Sequence, residues 1–157
     1  MSAADSQNKC RPFPWRCPTC GKLAVHLAAM PYTSEVNYDD EIHIVHVPEM
    51  IIPRCQECGE LVFSGNIDEP VYDALRNQLQ LLKKDELRNG RERVGLSQRA
   101  LADRLGVAEK TVADWEDGMA IQSRAMDNLL RVYFTFPEVR AVLIGKGRDP
   151  ALGILVG

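Results

Sequence analysis

The chain has 157 residues and a formal net charge of −3, from 19 lysines and arginines against 22 aspartates and glutamates. This slight negative excess provides no bulk attraction to nucleic acid, so DNA binding would require a local concentration of cations. No apolar run is long enough to cross a bilayer and no N-terminal run has the pattern of a signal peptide. We therefore expect a cytoplasmic protein with no membrane partner.

The N-terminal part is expected to contain a disordered arm and a small β domain. Residues 1–14 are polar and contain two prolines, which is typical of an arm without fixed structure. Residues 15–66 contain three runs of strand-like composition that are separated by prolines and turn residues. The runs are 22–30, 41–47 and 60–64, and the prolines that are expected to bound them are Pro31, Pro48 and Pro53.

The same region carries an acidic run and three histidines. The acidic run, residues 39–41, is interpreted as a solvated loop, with a contact for a basic partner protein as the alternative. His43 and His46 are three residues apart on a predicted strand, so their side chains point to opposite faces and do not form a ligand pair. They and His26 are interpreted as surface or packing residues.

Two copies of the pattern Cys-x-x-Cys-Gly form a candidate metal site. The four candidate ligands are Cys17, Cys20, Cys55 and Cys58. Two intervening residues bring both thiolates of a pair onto one ion, and the glycine tolerates the positive φ that points backbone N–H groups at sulfur. Two such pairs close a tetrahedral shell, so we predict a structural Zn2+ site, with iron as the alternative metal. Disulfides or free thiols are the alternative to a metal, and Cys10 is interpreted as a bystander thiol.

From residue 67 onward the pattern predicts helices. Residues 67–82 have apolar side chains at helical spacing and are expected to form a linker helix. Residues 83–143 contain five helical segments, each begun or ended by a capping serine, a proline or a glycine. The caps and stops are Gly95, Ser97, Gly106, Gly118, Ser123 and Pro137. The tail comprises residues 144–157, and its mostly apolar stretch 149–157 is interpreted as a strand, a partner-docking segment or a disordered end.

Residues 95–118 match a helix-turn-helix pattern in detail. Gly106 makes the turn, and Ala102 is small where the second helix must approach closely. Leu96 and Leu101 flank the serine cap at the spacing of a hydrophobic staple. The expected core residues of the motif are Leu101, Leu105, Val107, Val112 and Trp115.

Residues 83–143 resemble the five-helix domain of the Cro/repressor (XRE) family. The two cysteine knuckles followed by that domain resemble the MqsA/YgiT-type zinc-finger/helix-turn-helix antitoxins. The resemblance implies an α+β fold, with a small N-terminal zinc-binding β domain, a linker helix and a C-terminal all-α five-helix domain. It also implies a repressor that dimerises through the helical domain on a palindromic operator, while the zinc domain binds and neutralises a toxin.

The resemblance also assigns DNA-contacting positions. Glu109, Lys110 and Asp114 occupy positions that face base edges in Cro/repressor domains. Gln98 and Arg99 open the second helix near the phosphates. The full set of candidate DNA contacts is Gln98, Arg99, Glu109, Lys110, Thr111, Asp114, Arg91 and Arg93.

The predicted recognition helix is acidic, although DNA is a polyanion. Lys110 and Asp114 form an i,i+4 pair that offsets its own charge. Glu116 is expected to be neutralised by Arg91, at positions that form an internal salt bridge in some relatives. Glu109 can accept from cytosine N4 and Lys110 can reach guanine O6 and N7, which is compatible with a GC-containing half-site. Phosphate attraction is expected from Lys83, Lys84, Arg88, Arg91, Arg93, Arg99 and Arg104.

The pattern as a whole predicts a sequence-specific regulator of transcription that binds double-stranded DNA. The resemblance makes it the antitoxin of a type II toxin–antitoxin system that represses its own promoter. The alternatives are a stand-alone regulator without a toxin and a protein-interaction scaffold with an unused DNA-binding fold. An enzyme is not expected, because a closed thiolate site offers no Lewis acid and no nucleophile elbow, phosphate loop or zinc-protease pattern is present.

Overall fold

The computed structural model describes residues 11–63 and 67–144. The chain forms two compact units, which are not two consecutive halves of the sequence. Of the described residues, the first unit contains those up to Val36 and within Ile42–Ala74, and the second contains Asn37–Glu41 together with those from Leu75 onward. A five-residue segment of the N-terminal region therefore belongs to the helical unit.

The first unit is built on an antiparallel sheet of three strands in the order β1-β2-β3. The strands are β1 Trp15–Arg16, β2 Leu23–Tyr38 and β3 Glu41–Cys55. Trp15 pairs with Val25 across β1 and β2, and Thr33 Oγ1 lies 2.9 Å from His46 Nδ1 across β2 and β3. One buried cluster of this unit consists of Cys17, Val25 and Cys55, with Phe13, Trp15, Ala24 and Val62 packed around it. Further buried apolar residues of the unit are Val45, Val47, Met50, Ile52 and Val71.

Both long strands extend well beyond the predicted runs, and the prediction that prolines bound them is wrong. Pro31 lies within β2, and Pro48 and Pro53 lie within β3. Proline fits a strand where its missing N–H would point away from the neighbouring strand, as on the outer side of a two-stranded ribbon. The predicted third run contributes only a single bridge, between Arg54 and Leu61, and its last residue lies outside the described residues.

The first two residues of the acidic run, Asp39 and Asp40, form the turn between β2 and β3, and Glu41 begins β3. Asp39 and Asp40 have φ values of 49° and 66°, which are the left-handed conformations that a two-residue hairpin turn requires. Aspartate tolerates this region better than most residues because its short side chain forms local hydrogen bonds.

Phe13 falls in the predicted disordered arm, but its ring stacks on that of Trp15, with the ring centroids 4.2 Å apart. Residues 1–10 lie outside the described residues.

Six helices follow within residues 67–144, and the predicted α+β fold is confirmed. The helices are α1 Asp68–Leu79, α2 Lys84–Arg93, α3 Gln98–Leu105, α4 Glu109–Asp117, α5 Arg124–Thr135 and α6 Pro137–Val142. Ser97 Oγ accepts from Ala100 N at 3.1 Å, and Ser123 Oγ accepts from Met126 N at 3.2 Å. Gly106 and Gly118 end α3 and α4 in the left-handed conformation. Each of these helix ends was predicted from a local residue.

The helices of the second unit share a buried cluster of eight residues. Its buried residues are Leu87, Leu101, Ala102, Val112, Trp115, Leu130, Tyr133 and Phe134. Leu96, Leu105 and Val107 are partly buried and pack against this core, as the motif predicts. Gly90 allows α2 to lie close to α5, because a Cβ at this position would be 2.5 Å from the Phe134 ring.

A buried polar network ties the end of α1 to α5. Asp127 is fully buried and accepts from Leu82 N at 2.8 Å and from Arg131 Nε at 2.8 Å. Burial alone would raise the pKa of Asp127, but the hydrogen bonds from Arg131 and Leu82 outweigh it and lower the pKa. Gln122 Nε2 donates to Leu82 O at 2.9 Å, and Arg131 Nη2 donates to Gln80 O at 2.6 Å. The backbone that leaves α1 is thus hydrogen-bonded by side chains at 122–131.

The described helices are all too short or too polar to cross a membrane. Of the predicted tail 144–157, only residue 144 lies within the described part of the chain. The apolar stretch 149–157 lies outside it, so its three interpretations stay predictions.

Candidate metal centre and nucleic-acid interface

The two cysteine knuckles have the same local geometry. Gly21 N donates to Cys17 O at 2.9 Å, and Gly59 N donates to Cys55 O at the same distance. Cys17 N and Cys55 N each donate at 2.8 Å to the carbonyl oxygen five residues further on. Both glycines have positive φ, 73° for Gly21 and 80° for Gly59. A residue with a Cβ would be strained in this turn, which explains the glycine after each second cysteine.

The knuckles meet and bring four sulfur atoms together. Cys17 Sγ lies 3.6 Å from Cys58 Sγ, and Cys20 Sγ lies 3.6 Å from Cys55 Sγ. All four Sγ atoms lie within 4.8 Å of one another. Within residues 11–63 and 67–144, no histidine or carboxylate joins this group. His43 and His46 lie on β3, and His46 is engaged by Thr33 instead.

The arrangement fits a tetrahedral metal ion. With metal–sulfur bonds of about 2.3 Å, the edge of a tetrahedron of sulfurs is about 3.8 Å. The Cys17–Cys58 and Cys20–Cys55 sulfur–sulfur distances, 3.6 Å each, are close to that edge and far longer than a disulfide bond of about 2.05 Å. The four cysteines are therefore close enough together to bind one metal ion.

The electrostatics of the thiols favour a cation at this point. The backbone N–H of Cys58 lowers the pKa of Cys55 to about 7, despite the desolvation of that thiol. The backbone N–H of Glu60 favours the Cys58 thiolate as well, but desolvation and the neighbouring thiols prevail and raise the pKa of Cys58 to about 12. Four clustered sulfurs cannot all ionise without a positive charge among them, and a bound metal supplies it.

The helix-turn-helix consists of α3 and α4. Helix α4 begins at Ala108, which offers no side-chain cap, and ends at Gly118. Lys110 Nζ lies 2.6 Å from Asp114 Oδ2, with 81% of the lysine side chain and 29% of the aspartate side chain exposed. The predicted i,i+4 pair is therefore formed. Glu109 and Lys110 are exposed and Thr111 is half-buried, so these side chains lie where a ligand can reach α4.

Glu116 is the centre of a buried ion-pair network. Arg91 donates through Nε to Glu116 Oε1 at 2.6 Å and through Nη2 to Oε2 at 3.0 Å, a bidentate contact. Gln98 Nε2 donates to Glu116 Oε2 at 2.9 Å, and Arg88 Nε lies 3.6 Å from the same oxygen. Desolvation would raise the pKa of Glu116, but the hydrogen bonds from Arg91 and Gln98 lower it. Glu116 therefore stays ionised and is fully paired.

Two of the cations that were predicted to attract or contact DNA form ion pairs within the chain. Arg91 was included among the candidate DNA contacts, but its side chain is only 12% exposed and is bonded to Glu116 and to Leu96 O. Its guanidinium fixes α2 to α4, and its assignment as a DNA contact stays a prediction. Arg88 was counted among the phosphate-attracting cations, and it pairs with Glu116 and with Asp117. Sequence reasoning could identify the Arg91 pair from the resemblance but had no signal for Arg88.

The other candidates occupy accessible positions. Arg93 and Arg99 are exposed, at the end of α2 and the start of α3. Gln98 is half-buried and is held by Glu116, which leaves the second N–H of its amide for another acceptor. The sequence gave no indication that Gln98 joins the Glu116 network. The structure thus brings Gln98 and the Arg91 pair together at one junction of α2, α3 and α4.

Comparison with known proteins supports a helix-turn-helix. Residues 85–143 match a family model that is described as a helix-turn-helix domain. No curated protein and no solved structure gives a significant match to the chain. The match begins in α2 and ends just after α6, so it contains α3 and α4 and leaves out the cysteine knuckles. The fold and the match together support an XRE-like helix-turn-helix and hence a DNA-binding regulator.

Proposed function

We propose that this protein is a sequence-specific transcriptional regulator that binds double-stranded DNA through α3 and α4. The observation that best supports this function is that most of the acidic side chains on α4 are paired with cations. Asp114 is paired with Lys110, Glu116 with Arg91, and Asp117 with Arg88 at 3.4 Å. Of the four acids of this helix, which would repel DNA if they were unpaired, only Glu109 is not paired with a cation among the described residues.

Phosphate contacts are assigned to the ends of the neighbouring helices. Arg99 at the start of α3 and Arg93 at the end of α2 are exposed cations. Gln98, with one amide N–H held by Glu116, is oriented to donate the other to a phosphate oxygen. The N–H groups of the first turn of α3 add a partial positive charge at the same place.

Base contacts are assigned to the exposed side of α4. Lys110 donates to guanine O6 and N7, Glu109 accepts from cytosine N4, and Thr111 and Asp114 complete the surface. The Lys110–Asp114 contact holds the ammonium group in one orientation, which favours one base pair over others. We propose a GC-containing half-site, bound twice by a homodimer of the C-terminal domain on a palindromic operator.

Selection from random double-stranded DNA tests this function. We expect enrichment of a palindrome with a GC-containing half-site. The Lys110→Ala variant should lose base preference while keeping most of its affinity for unrelated DNA, and Lys22→Ala, which removes a lysine paired with Glu57 in the first unit, should change neither. A chain that enriches no sequence would contradict the proposal, as would an equal loss for Lys110→Ala on all sequences.

We further propose that the four cysteines hold a structural Zn2+ ion. Cys17, Cys20, Cys55 and Cys58 would be its ligands, and a shell of four thiolates leaves no position for a substrate or water. The role of the metal is then to stabilise the fold, which agrees with a non-enzymatic protein. Elemental analysis of the purified chain should find one zinc per chain, whereas an iron site would show visible absorption and disulfides would show neither.

The antitoxin role is a finer proposal, supported by the resemblance of the two knuckles plus helix-turn-helix to MqsA/YgiT-type antitoxins. In it, the first unit neutralises a toxin protein and the helical unit represses the promoter of both genes. A short reading frame adjacent to the gene and co-purification of its product with this chain are the expected results. A gene without such a neighbour, combined with operator binding by the chain alone, would favour a stand-alone regulator, and no DNA binding at all would favour a scaffold.

A further inference from the structure

We propose that the recognition helix α4 is positioned by three side chains that lie before the matched helix-turn-helix domain: Tyr38, Asp39 and Arg76. We call these three residues the upstream clamp. They hold the loop 118–123, which joins α4 to α5, and all of them belong to the second compact unit. The proposal rests on the DNA-binding function proposed above and adds residues that determine how well α4 discriminates between sequences.

Arg76 holds the end of α4. It lies in the last turn of α1 and is fully buried. Its Nη2 donates to Ala120 O at 2.6 Å and to Trp115 O at 3.3 Å, so one guanidinium group contacts the chain on both sides of Gly118. A cation at the C-terminal end of a helix also complements the helix dipole, and burial makes that interaction stronger than it is at a surface. Arg76 therefore fixes the direction in which the chain leaves α4.

The β2–β3 turn holds the other end of the loop. Asp39 Oδ2 accepts from Arg124 N, the first N–H of α5, at 2.8 Å. Tyr38 OH donates to Gln122 O at 2.9 Å. Tyr38 is buried, and this burial raises the pKa of its hydroxyl to about 12, so the group remains a donor at neutral pH. The first N–H groups of a helix have no partner within it, so Asp39 supplies an acceptor that α5 needs.

The matched domain does not supply these contacts itself. Met119 N and Ala120 N donate to Asp114 O, which closes the end of α4 from within. The carbonyl oxygens of Ala120 and Gln122 and the N–H of Arg124 are instead bonded by residues before 85. A helix-turn-helix that lacked the upstream clamp would therefore lose three anchors on the loop next to its recognition helix.

The hairpin turn offers a matched pair of variants for the full-length, metal-loaded chain. Asp39→Gly removes the acceptor for Arg124 N, and Asp40→Gly removes the same charge at the adjacent, exposed turn position. Glycine fits the positive φ of both positions, so neither change disturbs the turn. Hydrogen exchange at the Arg124 amide should become about fivefold faster in Asp39→Gly, the effect of one hydrogen bond, and stay unchanged in Asp40→Gly.

DNA discrimination gives the second readout. The ratio of affinities for the selected operator and for unrelated DNA should fall about threefold to fivefold in Asp39→Gly and in Tyr38→Phe, with no change for Asp40→Gly. The salt dependence of binding should be the same in all of these variants, because none of them removes a phosphate contact. Arg76→Lys, which retains the charge but cannot bridge two carbonyls in the same way, should have a larger effect if circular dichroism shows that it folds.

The outcomes separate this proposal from the function on which it rests. If the wild-type chain selects no DNA sequence, the proposed function fails, and the exchange measurement still decides whether the clamp holds the loop. If the chain selects an operator but Asp39→Gly and Asp40→Gly discriminate equally well, α4 is not positioned by the turn and the clamp proposal is overturned. Equal exchange rates at Arg124 in both variants would overturn it as well.

Discussion

The two compact units keep their folds by different means. The second unit buries aliphatic and aromatic side chains from the four helices α2–α5 in one cluster, whereas the first unit buries two cysteines of its knuckles beside apolar side chains of its strands. The first unit is small, and the metal proposed to be bound by its four cysteines would add to the stability that its apolar core provides. The helical unit should therefore respond mainly to changes in packing and buried charge, and the first unit to loss of its metal.

The largest expected effect is the loss of a cysteine ligand. Cys17→Ser and Cys55→Ser each remove one buried thiolate, and binding of structural zinc contributes about 10 kcal/mol or more in small metal-dependent domains. We expect zinc content to fall towards zero and the β-sheet resonances of residues 23–36 and 42–55 to lose their dispersion. Cys10→Ser, a change outside the two knuckles, is the control and should keep one zinc per chain. Retained zinc in both ligand variants would show that the first unit does not depend on this site.

Removing the Glu116 carboxylate should cause the next largest loss of stability. Glu116→Ala leaves Arg91 buried without its carboxylate, which costs about 3–5 kcal/mol for a buried pair. Asp117→Ala is the matched control, because its side chain is 61% exposed and surface pairs contribute less than about 1 kcal/mol. Urea denaturation of the helical signal measures both. Equal losses in the two variants would mean that the buried pair does not stabilise the helical unit as its geometry indicates.

Two buried carboxylates of the helical unit, Glu116 and Asp127, predict an acid limit to stability. The pKa values of Glu116 and Asp127 are lower in the folded chain than their ordinary values of about 4.3 and 3.9. Their contribution is therefore complete above these ordinary values and is lost as the pH falls through the lower folded values. A pH series of thermal denaturation should show a decline in Tm below about pH 4 that is smaller in Glu116→Gln. A decline of the same size in that variant would assign the acid sensitivity to other carboxylates.

The close packing of α2 on α5 predicts a moderate loss of stability when Gly90 is replaced. Gly90→Ala places a Cβ against the Phe134 ring, and overpacking costs about 1–3 kcal/mol, partly offset by the better helix propensity of alanine. The combination with Phe134→Leu should recover part of the loss, because the smaller side chain can move away from the new methyl group. Asn89→Ala, at an exposed neighbouring position, should be neutral. A stabilised Gly90→Ala chain would contradict the close approach of the two helices.

The smallest expected effect is a gain in stability from an N-cap at the start of α4. Ala108 is the N-cap residue and makes no side-chain hydrogen bond to the first turn. Ala108→Ser would supply a hydroxyl acceptor and stabilise the helical unit by about 0.5–1 kcal/mol, whereas Ala108→Val would not. Thermal denaturation monitored by circular dichroism measures the difference. If both variants melt at the same temperature, the first turn of α4 is already satisfied by other groups.

Features set by neighbouring residues could be predicted from the sequence. The serine caps, the helix-ending glycines and the spacing within each cysteine knuckle are properties of a few consecutive residues, and the structure has them where the pattern predicts. The lengths of β2 and β3 could not be predicted, because a proline is compatible with a strand only if its N–H side faces outward, and that depends on which strand lies beside it. Local sequence patterns therefore predicted the helices more accurately than the sheet.

Contacts between distant residues were the main omission. Arg76 is in the last turn of a helix, where a basic residue is usual, and nothing in the pattern showed that it would be fully buried against Trp115 O. The acidic run at 39–41 was interpreted as a solvated loop, but Asp39 accepts from an N–H that lies 85 residues away in sequence. Such pairings follow from the tertiary fold, and one sequence without an alignment carries no signal of them.

Exposed cations next to α4 are proposed to hold DNA although the chain is acidic overall. The most direct test is the affinity for the selected operator as a function of salt, compared between the wild-type chain and Arg99→Ala, with Lys22→Ala as the control. The wild-type chain should lose affinity steeply as salt rises, and the log–log slope should decrease in magnitude by about 0.9 in Arg99→Ala, the value for one phosphate contact. The control should keep the wild-type slope. An affinity that does not depend on salt, or a slope that Arg99→Ala leaves unchanged, would contradict this account.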